Sequence, residues 1–141
     1  MHSSSYTVVN ISASEATTIT GTDAAEDFRY EVTPEGVSLE GAFEVKINSF
    51  DMTNDKLTLV LVNGTSNLTT QEFDQLENVE VTSDALSGTQ IFFAKDSDGQ
   101  TGSLVLYETS ANDGTLVEET IDGDWTATTY TVEILADSNL V

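Results

Sequence analysis

Alternation of apolar and polar residues with a period of two runs through most of this chain. It narrows the fold more than any other feature. In FRYEV, Phe28, Tyr30 and Val32 share one face while Arg29 and Glu31 take the other. In AFEVKIN, Phe43, Val45 and Ile47 point one way and Glu44, Lys46 and Asn48 the other. A strand sends successive side chains to opposite faces, so this spacing predicts half-buried strands. KLTLVLV (56–62) is nearly continuous in apolar residues and predicts a central strand buried on both faces. TQIFFA, SLVLY and TYTVEIL add three strands, the last with Tyr130, Val132 and Ile134 on one face. YTVVNIS and VSLEG predict edge strands. Roughly seven to nine short strands between Gly, Asn and Asp turns predict an all-β fold, mainly an antiparallel β-sandwich.

One segment breaks the alternation. In NLTTQEFDQLENV, Thr69 is an N-cap and Glu72 completes a capping box three residues later. Leu68 and Phe73 hold the two positions of a hydrophobic staple, and Phe73 and Leu76 share a face that docks on a sheet. The spacing predicts one short helix near 69–77 and no other. Pro34, the only proline, falls in VTPEGV and reads as a turn.

The 141 residues suit one domain, over 6–141; MHSSS at 1–5 reads as a cloning scar. Twenty-five acidic residues face four basic ones (Arg29, Lys46, Lys56, Lys95), a net charge of −21. Such a surface repels phosphate, which argues against nucleic acid and anionic membranes as partners. No apolar run approaches the roughly 18 residues of a membrane helix, so no membrane insertion is expected. Self-repulsion of this size calls for salt screening or bound cations, which fits a saline habitat or calcium. There is no cysteine, and the only histidine is His2, in the scar. Thiol chemistry, histidine bases and histidine metal sites are therefore not expected, and the chain is read as a non-enzyme.

Three acidic turns are candidate sites. The loop KDSDGQTG joins two strands that pair as a hairpin, and Asp96 and Asp98 there are candidate oxygen ligands for calcium. An EF-hand does not fit: with Gly99 at the sixth position, Ala94 and Val105 fall where carboxylates belong. The loop is first a solvated turn, and a metal site only if neighbours add oxygens. TIDGDWT contributes Asp122 and Asp124, and SANDGT contributes Asn112 and Asp113. Asp51 and Asp55 flank a turn where local hydrogen bonding explains their presence. Trp125, with Tyr107 and Tyr130, is either core or the platform of a carbohydrate-binding face.

ITGTDAAEDFRYEV followed by VKINSFDMTNDKLTLVLV resembles the C-terminal regions of bacterial secreted proteins with haemolysin-type (RTX) calcium-binding repeats. The matching residues are Gly21, Asp23, Asp27, Phe28, Phe50, Asp51, Asp55, Lys56 and Leu57. The resemblance implies export without a cleaved N-terminal signal, an extracellular or cell-surface location, and a place in a larger polypeptide. It also implies calcium binding, with Asp23 and Asp27 matching half of one repeat. The family's glycine-rich nonapeptides are not present in tandem, so its calcium-stacked parallel roll is not expected. The resulting expectation is a calcium-stabilised, non-catalytic accessory or adhesion module. A carbohydrate-binding module facing polysaccharide or cell-surface glycan is the alternative, and a glycan-active enzyme fragment the third reading.

Overall fold

The structure, a computed structural model, describes residues 6–11, 17–22, 24–37, 44–51, 54–84, 88–95, 101–106 and 131–140. Among these, nine strands form: β1 Thr7–Ile11, β2 Thr17–Thr20, β3 Glu26–Val32, β4 Glu44–Asn48, β5 Lys56–Leu61, β6 Glu80–Asp84, β7 Gly88–Lys95, β8 Thr101–Leu106 and β9 Thr131–Ala136. A single α-helix, α1 Thr70–Asp74, lies between β5 and β6, and a 3-10 turn at Asp137–Asn139 follows β9.

The chain winds between two sheets. One has the order β1-β3-β5-β9 and the other β2-β4-β8-β7-β6. Every pairing in the first sheet is parallel. In the second, β2-β4-β8 is parallel and only β7 and β6 run antiparallel. This corrects the antiparallel sandwich. Alternation reports which side chains face the core; it is silent on strand direction. Parallel neighbours need a crossover. Here the strand of the opposite sheet supplies it, so β1, β2, β3, β4 and β5 describe successive coils. The coils form without glycine-rich repeats because apolar ladders fill the space between the sheets.

Those ladders follow from register. Val9, Phe28, Leu57 and Val132 align across the first sheet, as do Ile11, Tyr30, Leu59 and Ile134. Val45 aligns with Leu104, and Ile19 with Ile47 and Leu106, across the second. Phe28, Val45, Ile47, Leu57, Leu59, Leu104 and Leu106 are all 0% exposed and belong to one core cluster. The phases predicted for Phe28, Tyr30, Val32, Val45 and Ile47 hold. So does β5 as a strand covered on both faces, since Thr58 and Val60 are buried as well as the three leucines. Asn48, expected to face solvent, is buried instead, because the turn before β3 lies over it and the Gly21 N–H donates to its carbonyl at 2.8 Å. VSLEG beyond Val37, and Phe43, lie outside the described residues.

Two strands were not legible. TTIT (β2) has one apolar residue, and EVTSD (β6) directly follows the helix signal. The helix forms where expected but is shorter, five residues, and the closing 3-10 turn is an addition. Its capping box is complete: the Thr69 hydroxyl accepts from Glu72 N at 3.0 Å, and the Glu72 carboxylate accepts from Thr69 N at 2.9 Å. Phe73 is fully buried, and Leu68 packs against the core while bridging to Ile134. Helices this short do not persist alone, so the cap decides whether the segment stays docked on β9. Thr69→Ala is expected to cost about 1 kcal/mol, read as a lower urea midpoint with an unchanged slope. In VTPEGV, Gly36 N–H closes the turn on Thr33 O at 2.9 Å, and Gly36 takes φ +85°, which a side chain would resist.

Candidate functional site: two stacked acidic turns

The turn from β2 to β3 and the turn from β4 to β5 stack on each other. β2 pairs with β4, and β3 with β5, so the ends of one coil meet the ends of the next. Gly21 makes the closest approach. A Cβ there would lie 2.7 Å from the Ser49 carbonyl oxygen and 3.2 Å from Glu26 Oε1, so only glycine fits without displacement. Ser49 itself sits at φ 57°, where the chain reverses out of β4.

Three carboxylates tie the turns to backbone. Asp55, 1% exposed, accepts from Glu26 N at 3.0 Å through Oδ1 and from Asp51 N at 2.9 Å through Oδ2. One side chain therefore joins the start of β3 to the turn that precedes β5. Glu26 accepts from Thr22 N at 2.6 Å, closing the other turn. Asp51 accepts from the Asn54 side chain at 2.8 Å, and its carbonyl receives the N–H of Asp55. The reading of Asp51 and Asp55 as turn residues holds. Asp55 reaches further than local hydrogen bonding suggests, since Glu26 is 29 residues away.

Burial is the main cause that pushes the Asp55 carboxyl above its ordinary pKa. The negative charges of Glu26 and Asp51 push the same way, while the two backbone N–H groups oppose the rise. Further along β3, burial pushes the Tyr30 hydroxyl up to about 12, which keeps it neutral at any ordinary pH.

On the outer face of the first sheet, Asp27 aligns with Lys56, and Arg29 with Thr58. Asp27 is 2% exposed, and both its oxygens are engaged: Thr58 hydroxyl donates at 2.5 Å and Arg29 Nε at 3.0 Å. Lys56 donates to Glu133 at 2.5 Å and lies 5.1 Å from the Tyr6 ring centre. Two of the four basic residues thus neutralise acids on this face.

Of the residues expected to bind a ligand, only Asp27 is described. Its partners are a cation and a hydroxyl. Asp23, Asp96, Asp98, Asp122, Asp124, Tyr107, Trp125 and Tyr130 lie outside the described residues. Among the described residues, no three acidic or histidine side chains group as metal ligands. The hairpin of β7 and β8 does form, antiparallel with Ile91 opposite Leu104. Glu26 carries one sequence signal, its place beside Asp27 at the head of a strand.

The fold and site together define a two-sheet, largely parallel β-coil whose turns are held by buried carboxylates. No family model, curated protein or solved structure matches this chain.

Proposed function

We propose that the chain is a non-catalytic accessory module, a short coil that serves as a scaffold within an exported bacterial protein of the haemolysin-type kind, stabilised by calcium. One observation carries the scaffold reading. The described residues of the resemblance (Gly21, Asp27, Phe28, Phe50, Asp51, Asp55, Lys56, Leu57) gather in adjacent layers of two coils. There they hold backbone, fill core or pair charges. Buried carboxylates that accept backbone N–H groups stabilise turns, and are poorly placed to act on a substrate.

The calcium part rests on the charge of −21, which cations offset, and on the acidic stretches DSDG and DGD, which lie outside the described residues. Melting in calcium, in magnesium, in sodium chloride of equal ionic strength and in chelator tests it. Calcium about 100-fold above its dissociation constant stabilises by about 2.7 kcal/mol. For a domain this size that is a rise of roughly 5–10 °C over the salt control. A calcium curve that overlays the sodium chloride curve removes calcium from the proposal.

A further inference from the structure

Among the described residues, the first coil supplies the outermost strand of each sheet on one side, and that edge is of an unusual kind for this chain. β1 is the outermost strand of the first sheet and β2 of the second. Thr7 N–H donates inward to Ala25, and Gly21 N–H donates inward to Asn48. Because a strand directs alternate residues' backbone groups to opposite sides, Val8, Asn10, Thr18 and Thr20 present their N–H and C=O groups outward. All four residues are exposed, and Val8, at 44%, is the one large apolar side chain exposed among the described residues.

The opposite edge of the first sheet is closed. Leu68 N–H donates to Ile134 O at 3.0 Å, and Ala136 N–H donates to the Asn67 side chain at 3.0 Å. Natural sheets protect an open edge with charge, proline or a bulge. β1 (TVVNI) and β2 (TTIT) have no charged residue and no proline, in a chain with 25 acids. The paired registers of β1 and β2 show no bulge.

We propose that these two uncharged edge strands form a self-association surface, and that its partner is a second copy of the chain docked head to head. A two-fold axis would set β1 antiparallel to the partner's β1 and β2 antiparallel to its own counterpart, so both outward rows of backbone groups are satisfied at once. Charge selects this face. With −21 on each copy, contact is opposed almost everywhere, and a pair of edge strands with no carboxylate of their own, Glu15 alone lying between them in sequence, is where opposition is least. Repulsion from the rest of the molecule remains, so association strengthens with salt.

Sedimentation equilibrium of the full chain, across a range of sodium chloride concentrations, tests this. The expected result is a monomer–dimer equilibrium whose dissociation constant falls as salt rises. Val8→Asp and Thr18→Asp should each weaken the dimer by at least about tenfold, since each adds a negative charge from both copies to the paired edge. Gln71→Asp, which adds the same charge on α1 beside the closed edge, should change it little. Thermal melts of each variant establish that it is folded. A monomer at every salt concentration overturns the proposal, and so does a dimer that all three variants weaken equally. A dimer indifferent to Val8→Asp and Thr18→Asp places the contact elsewhere and overturns it too.

Discussion

Asp55→Ala is expected to lower stability by about 2–4 kcal/mol, because it strands two backbone N–H groups at once. The donors are Glu26 N and Asp51 N, and the carboxylate that receives them is 1% exposed. The two groups belong to segments 25 residues apart (26 to 51). Asp55→Asn keeps one acceptor oxygen and turns an amide N–H toward the other donor. It also removes a charge that burial and the neighbouring acids disfavour. The asparagine variant should therefore lose about half as much. Equilibrium urea unfolding measures both, and equal stability of wild type and Asp55→Ala would show that the clamp contributes nothing.

The same residue gives the stability a pH dependence of predictable sign. The folded-state pKa of Asp55 lies above its value of 3.8 in the unfolded chain. Folded protein then binds the proton more readily, so the contribution is complete below that value and is lost as pH rises through the folded pKa. Acidification from neutral pH toward the ordinary carboxylate range should raise stability, and general relief of self-repulsion acts in the same direction. The gain in wild type minus the gain in Asp55→Asn isolates the share of this one side chain. Parallel pH profiles for the two proteins would contradict it.

Much of the layering was legible and the winding was not. FRYEV and KLTLVLV name their own buried faces, because alternation and continuous apolarity are direct consequences of how a strand meets a core. Direction is a property of pairs, and the pairs here are irregular in sequence. Thr7 aligns with Glu26, a step of 19 residues (7 to 26), while Asp27 aligns with Lys56, a step of 29 (27 to 56). Unequal coils leave no fixed period to detect. The one available clue was KLTLVLV itself: strands buried on both faces are typical of parallel sheets. In the turns, the acids were visible as turn formers, but the partner of Asp55 is Glu26, in another coil. Local rules reach a few residues and do not see across a stack.

The second large effect lies at the centre of the same stack. Phe28 is 0% exposed, sits between Val9 and Leu57 in the inward ladder, and meets the Phe50 ring at 5.9 Å with a 41° tilt. Phe50 lies in the turn that Asp55 clamps, so this ring pair joins β3 to that turn from the apolar side. Phe28→Ala is expected to cost about 3–5 kcal/mol, the sum of lost burial and a cavity the ladder cannot collapse into. Phe50→Ala should cost a similar amount. In a double-mutant cycle the two should couple by about 0.5–1.5 kcal/mol, the range for tilted aromatic pairs. Val8→Ala, on the exposed outer face of β1, should stay within about 0.5 kcal/mol. Urea midpoints and slopes give all four values, the slope serving to check that the unfolded state is unchanged. If Phe28→Ala cost no more than Val8→Ala, the ladder could not be what holds the coils in register. The winding would then depend on the polar clamp alone, and Asp55→Ala would have to abolish folding outright.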